Sequence, residues 1–244
     1  MTSSKDTLFQ HEALAHQAFR FDDAVANVFP DMINRSVPGY ADSLEGIRGF
    51  AAELVPDGGR CYDLGCSLGA ATLAMCLGLD KRPATMIAID NSAAMIDRCK
   101  RDLAFDGRAQ DINFREQDIT QCAIEQADLV VMNYTLQFVA PEARPDLLRR
   151  IRSGLKPGGA VIISEKFRFD DAAVQSLMTR RHHAFKRRHD YSDLEIAGKR
   201  AALENVLIAD TRQTHIARLN DAGFIGATLW LANLNFGSLI AFRP

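Results

Sequence analysis

Short apolar runs alternate with helical patterns through the middle of the chain. The runs at 60–63, 85–90, 112–117, 129–133 and 160–164 have strand length, and several end in a polar residue that opens a loop. Residues 92–105 begin on Ser92, a good N-cap, and carry Met95, Ile96, Cys99 and Leu103 at helical spacing. Residues 141–155 form the next helical pattern, closed by Lys156-Pro157-Gly158-Gly159. This alternation predicts an α/β fold whose parallel strands point their carboxyl ends at a ligand crevice.

Two stretches depart from that plain alternation. Residues 1–55 precede the first strand and contain Phe29-Pro30-Asp31 and Val37-Pro38-Gly39-Tyr40; residues 170–210 are helical in pattern and rich in Arg, His and Lys. Neither is of low complexity or a Gly/Ser linker, so both are expected to cap a single domain spanning 1–244. The chain then returns to the sheet. A helix over 211–222, stopped by Gly223, leads to strands at 227–231 and 239–242, with Gly237-Ser238 near the turn.

Composition changes this picture little. With 244 residues, 47% hydrophobic and 25% charged, the chain is globular and long enough to bury a large core. A net charge of −2 excludes a general polyanion binder but not a local basic patch. The cysteines Cys61, Cys66, Cys76, Cys99 and Cys122 are odd in number and lack metal-ligand spacing, so reduced thiols are expected, with no disulfide framework and no metal site. The N-terminus lacks the apolar core of a signal peptide, and the longest apolar run, 69–79, is about half a membrane span. A cytoplasmic protein is the expectation.

Candidate chemistry begins at Asp63-Leu64-Gly65-Cys66-Ser67-Leu68-Gly69, which follows a strand and opens a helix near Ala70. Small residues there permit a tight turn and close approach of a ligand to the helix N–H groups. Gly65-x-Ser67-x-Gly69 fits the dinucleotide fingerprint poorly. Its spacing resembles the first motif of class I S-adenosylmethionine-dependent methyltransferases, with Ser67 at the central glycine. A purely structural strand–helix turn explains this segment about as well. Asp90 ends the second strand, where a carboxylate can accept from a ribose diol or can cap a helix. Asp118 is placed to accept from an adenine amino group, with Ile119 against the ring, and Asn133 faces the same crevice.

The strings Phe29-Pro-Asp-Met-Ile33, Arg35-Ser-Val-Pro-Gly-Tyr40, Tyr62-Asp-Leu-Gly-Cys-Ser-Leu-Gly-Ala-Ala-Thr72 and Ala88-Ile-Asp-Asn-Ser92 make the likeness specific. With Leu136-Gln-Phe138, Ser164-Glu-Lys-Phe167, Lys199-Arg200, Leu203-Glu-Asn-Val206 and Asn235-Phe-Gly-Ser-Leu239, the chain resembles the carboxy-S-adenosyl-L-methionine synthase family over nearly its whole length. Ser67 is no departure within that family. The resemblance implies a class I methyltransferase fold, a seven-stranded mainly parallel sheet with helical caps. It implies conversion of S-adenosylmethionine and prephenate to carboxy-S-adenosylmethionine and phenylpyruvate, the product serving tRNA wobble-uridine modification by a separate enzyme. Cofactor contacts implied in the same way are Tyr40, Gly65, Cys66, Ser67, Asp90, Asn91, Asp118, Ile119, Asn133 and Arg200. A homodimer, with Arg200 reaching the neighbouring protomer's site, is implied as well.

Arg200 has a physical logic of its own. A guanidinium beside a sulfonium methyl is unhelpful, but once a carboxylate replaces a methyl hydrogen, a planar fork of donors is the right partner. The plain alternative is a solvated arginine paired with Glu204. No side chain stands out as a base, so hydroxide leaving prephenate is expected to take the methyl proton; the resulting ylide attacks the released carbon dioxide. The protein then supplies proximity and excludes water.

The run Arg180-Arg-His-His-Ala-Phe-Lys-Arg-Arg188 reads first as a solvated helix face. Attraction of the prephenate dicarboxylate is a second reading; RNA contact is disfavoured by the overall acidity. His182, His183 and His189 show no triad or metal spacing and receive no catalytic role, and Cys66 is assigned a backbone contact rather than nucleophilic chemistry. Two rival functions remain: an ordinary methyltransferase acting on a small molecule or RNA, and a non-catalytic cofactor-binding subunit.

Overall fold

A computed structural model describes residues 5–9, 19–105 and 111–244, without the Phe105 side chain. Parts of the expected N-terminal cap, 1–4 and 10–18, lie outside the described residues. Five parallel strands are β1 (Gly59–Leu64), β2 (Ala84–Asp90), β3 (Ile112–Glu116), β4 (Ala127–Asn133) and β5 (Leu155–Lys166). A hairpin of β6 (Ile225–Asn233) and β7 (Phe236–Phe242) completes the sheet, with β7 antiparallel to β5. The spatial order is β3-β2-β1-β4-β5-β7-β6, so direction of build reverses between β1 and β4. That is the switch point at which open α/β sheets leave a crevice. The expected seven-stranded, mainly parallel sheet is present.

Period-two alternation along the central strands feeds two cores. Tyr62, Leu64, Ile87, Ile89, Val130 and Met132 face one side, where α5 (Arg144–Gly154) and α8 (Arg212–Asp221) pack through Leu147, Ile151 and Leu219. Cys61, Met86, Ala88, Leu129 and Val131 face the other. There they meet α2 (Tyr40–Leu54), α3 (Ala70–Leu79) and α4 (Ala93–Phe105) through Ile47, Ala51, Met75 and Cys99. The close approach of α2 to α3 needs Gly78, where a Cβ would lie 2.2 Å from the Arg48 carbonyl oxygen.

The remaining helices, α1 (Asp23–Ser36), α6 (Ala172–Arg188) and α7 (Asp193–Leu203), form a third layer. Buried Arg35 of α1 ties it together, donating from Nε to the His189 carbonyl at 2.6 Å and from Nη2 to the Asp190 carbonyl at 2.7 Å. Phe19 N–H donates to the Ala202 carbonyl at 3.2 Å, anchoring the N-terminal segment on α7. Within residues 1–55, therefore, α1 belongs to this layer whereas α2 belongs to the sheet.

Several boundaries differ from expectation, among them the ends of β5, β6 and β7. Residues 141–155 split into a 3₁₀ turn, Pro141–Ala143, and α5, and Leu155 already starts β5. Lys156-Pro157-Gly158-Gly159 ends the helix yet lies within that strand, because Gly158 N–H donates to the Arg243 carbonyl and Arg243 N–H to that of Gly159. The final hairpin turns at Leu234 (φ 53°), not at Gly237. Gly237 sits inside β7 because a Cβ there would come within 2.7 Å of the Leu231 carbonyl oxygen and the Phe167 ring.

Candidate functional site

The crevice is built on the turn after β1. Gly65 has φ +79°, and a Cβ on it would lie 2.2 Å from Thr135 Cγ2. Gly65 and Cys66 N–H both donate to the Ile89 carbonyl, at 2.8 and 2.9 Å, binding the turn to β2. Ser67 follows at φ 50°, the left-handed region that ordinarily favours glycine. Its N–H donates to Asp90 Oδ2 at 2.9 Å, while Asp90 Oδ1 accepts the Ser92 N–H at 2.9 Å. Asp90 thus clamps the turn and the start of α4, and each oxygen retains acceptor capacity toward a ligand. Burial pushes its carboxyl above the usual range, against the lowering effect of the Ser92, Ser67 and Asn91 N–H groups.

Asp63, two residues before Gly65, accepts the Thr72 hydroxyl at 2.6 Å and joins the end of β1 to α3. Burial pushes it up to about 7. Beside the crevice, fully buried Arg144 holds two of the segments that line it, donating to the carbonyls of Gln137 and Val139 as well as to the Ile208 carbonyl and Asp210.

A cavity of about 470 Å³ lies over the strand ends and gathers Gly65, Ser67, Asp90, Asn91, Asp118, Ile119 and Asn133. Phe21 sits at its apolar side, edge-on to Phe19 and Phe138 with centroids 5.1 and 5.2 Å away. Such a volume and such a mixture of apolar wall and few polar groups suit a small nucleoside ligand. Asn133 Oδ1 is buried and has no hydrogen-bond partner, so a donor from a ligand fits there. Tyr40 and Cys66 line a smaller space of about 240 Å³ that shares Gly65, Ser67 and Asn133 with the first. The Cys66 thiol is raised by its hydrogen bond with Cys99 and by burial, which removes thiolate chemistry. Among the described residues no two cysteines form a disulfide, and no metal-holding cluster occurs.

Arg200 stands apart from these residues. It is exposed and lines a neighbouring space of about 390 Å³, which shares Lys166, His182, Lys186 and Leu203 with the main cavity.

The cavity also gathers Lys166, His182, Lys186 and Lys199; of these, His182 and Lys186 belong to the 180–188 run, whereas the sequence assigns Lys166 and Lys199 no role of their own. The basic run of α6 divides by helical phase. Arg180, Arg181, Arg187 and Arg188 are exposed, whereas His182 and Lys186, four residues apart, are buried against the cavity. His182 Nε2 donates to the Ser36 carbonyl at 2.8 Å, and burial pushes its basicity down to about 3, so the ring is neutral. The i, i+4 pair inside an otherwise arginine-rich run was the available signal.

A family model described as a methyltransferase domain matches residues 62–159. Among solved structures, human N-acetylserotonin methyltransferase in complex with SAM superposes with a TM-score of 0.62 at 16% identity, covering 91% of this chain and 57% of that one. A Methanococcus maripaludis protein assigned to the S-adenosyl-L-methionine-dependent methyltransferases gives 0.59 at 19% identity, covering 93% and 96%. At these identities the likeness concerns the fold alone. The carboxy-S-adenosyl-L-methionine synthase of Escherichia coli (strain K12) is 48% identical over 241 residues, 99% of this chain and 98% of that protein. That of Erwinia tasmaniensis is 48% identical over the same shares. A match of that identity that spans the third helical layer as well as the sheet shows the family: the chain belongs to the carboxy-S-adenosyl-L-methionine synthase family.

Proposed function

We propose that this chain is a carboxy-S-adenosyl-L-methionine synthase, using S-adenosylmethionine and prephenate. The observation that carries the reading is identity of 48% across 99% of the chain, layer helices included, to enzymes of that name. The cavity's chemistry supports it: a double acceptor at Asp90, an apolar wall and an unpartnered Asn133 oxygen suit an adenosine bearing an amino-acid tail.

The bound S-adenosylmethionine supplies an acidified methyl carbon. Asp90 would accept from the ribose diol while holding Ser67, and Asp118 and Ile119 would meet the adenine. Gly65, Cys66 and Ser67 would present backbone, with Asn91 beside the ribose and Asn133 and Tyr40 toward the tail. The sheath around Phe21 keeps water from the reacting carbon. In the balance, a carbon–carbon bond forms between the methyl carbon and the carboxyl carbon lost by prephenate. The methyl proton leaves with the prephenate hydroxide as water, and phenylpyruvate remains. No side-chain base is required.

Our reading further places Arg200 on the carboxylate of the product, reaching it from a partner protomer of a homodimer, and the product in tRNA wobble-uridine modification by another enzyme. It treats 1–244 as one domain and the reaction as cytoplasmic, without direct nucleic-acid contact. No helix among the described residues is long and apolar enough to cross a membrane.

Mass spectrometry of the nucleotide that copurifies with the protein tests the reading. A species heavier than S-adenosylmethionine by one carboxylate in place of hydrogen is expected. Only S-adenosylhomocysteine would favour an ordinary methyltransferase.

A further inference from the structure

Where the end of β5 meets α6 and α7, the wall of the main cavity becomes cationic. Lys166, Lys186 and Lys199 line it, with His182 between them. Lys199 has its partners: Nζ donates to Ser36 Oγ at 3.0 Å and lies 3.9 Å from Asp6 Oδ2. Asp6 also accepts the Tyr191 hydroxyl, and the Arg35 guanidinium lies 3.9 Å over the Tyr191 ring. Lys199 is therefore part of the frame that holds α1, α6 and α7 together.

Lys186 and Lys166 differ from it. Lys186 is only 8% exposed, and among the described residues no carboxylate forms an ion pair with either ammonium. Burial and the charges of Lys199 and Lys166 push Lys186 down to about 7. Burial, then Arg200, lowers Lys166. Like charges buried without a counter-ion cost free energy, and a neutral His182 supplies none. The same cavity is expected to hold a sulfonium, which two bare ammonium groups would repel. An anion lying between them removes both conflicts at once.

We propose that Lys166 and Lys186 form the subsite that receives the carboxylates of the carboxyl donor and holds it against the reactive end of the cofactor. This rests on the carboxyl-transfer reading above. The lysines act as donor-binding, positioning residues. Lys186 supplies charge from α6, and Lys166 supplies it from the strand end next to the space lined by Arg200. The amino-acid tail of the cofactor carries a carboxylate too, but Tyr40 and Cys66, which would meet it beside Gly65, Ser67 and Asn133, line a smaller space that neither lysine lines.

The experiment measures prephenate binding by calorimetry on protein loaded with S-adenosylhomocysteine, S-adenosylmethionine binding on ligand-free protein, and steady-state kcat and KM. It compares wild type, Lys186→Met, Lys166→Met and Lys186→Arg. Removing a buried unpaired charge leaves the melting temperature at or above that of wild type. Each Met variant is expected to weaken prephenate binding and raise its KM roughly tenfold or more, the scale of one charged hydrogen bond. S-adenosylmethionine affinity stays within about twofold, and Lys186→Arg restores most of the loss. Weakened S-adenosylmethionine with unchanged prephenate would assign the cations to the cofactor's own carboxylate and overturn the proposal. Unchanged binding of both would overturn it as well. Should wild type bind prephenate through these lysines yet form no carboxylated nucleotide, the carboxyl-transfer reading fails while the anion subsite stands.

Discussion

Asp90 and Ser67 are joined by a single hydrogen bond of 2.9 Å, from the Ser67 backbone N–H to Asp90 Oδ2. The side chain proposed to grip the ribose is therefore the one that holds the left-handed serine of the adenosine turn in place. Asp90→Ala is expected to weaken S-adenosylmethionine by about 1.5–3 kcal/mol, the scale of hydrogen bonds to a charged group. Ser67→Gly keeps the N–H and relieves the backbone strain, so it should leave affinity nearly unchanged. Calorimetry on both folded variants checks this. Unchanged affinity in Asp90→Ala would remove Asp90 from the ribose site.

Arg200 should separate the carboxylated nucleotide from S-adenosylmethionine, because only the former offers an anion to the guanidinium. Its loss in Arg200→Ala should cost the carboxylated ligand about 2–5 kcal/mol if the pair is shielded from water. S-adenosylmethionine should lose far less, and Arg200→Lys should recover part of the difference. Paired titrations of the two nucleotides read this directly. Equal losses would reduce Arg200 to support of the fold or the dimer.

Assembly follows from the same residue. Arg200 is exposed and lines a space beside the cofactor cavity rather than the cavity itself. A homodimer at working concentration, with little activity after dilution to monomer, is the expected behaviour. Sedimentation across that concentration range, paired with activity, checks it. A fully active monomer would show that no residue is shared between chains.

Stability should carry a histidine signature. His215 is buried with neither ring nitrogen hydrogen-bonded, and burial pushes its pKa down to about 4 from 6.5. The unfolded chain therefore binds the extra proton first as pH falls through 6.5, so this residue's contribution to stability drops between pH 6.5 and 4. Buried Asp63 and Glu165, raised to about 7 and 8, act in the opposite sense, gaining stability on acidification. Only a difference measurement isolates His215. Between pH 7 and 5, wild type should lose about 2 kcal/mol relative to His215→Phe in urea unfolding. Parallel pH curves would mean that His215 is protonated in the fold.

The sheet was legible because its central strands are nearly continuous apolar runs that end in polar residues, Asp90 and Asn133 among them. The ends of β5, β6 and β7 were not, since they lie on the antiparallel side of the sheet, where the Pro157-Gly158-Gly159 stretch takes its pairing from distant backbone such as Arg243. Gly65, Ser67, Asp90, Asn91, Asp118, Ile119 and Asn133 meet in one cavity, as strand-end logic anticipates. Which members of the 180–188 run turn inward, and that Lys166 joins them, was not legible for a different reason. Their significance lies in burial without a counter-charge, a property of how α6 and α7 lean on β5, and the surrounding arginines mask it in the sequence.

Isotope labelling follows the transferred carboxyl group atom by atom. Prephenate carrying a heavy-carbon label in its ring carboxylate is incubated with the protein and S-adenosylmethionine, and the nucleotide and keto-acid products are analysed by mass spectrometry. The label is expected in a carboxylated nucleotide, with an equal amount of unlabelled phenylpyruvate. An unlabelled carboxylated nucleotide, or S-adenosylhomocysteine with prephenate untouched, would contradict it.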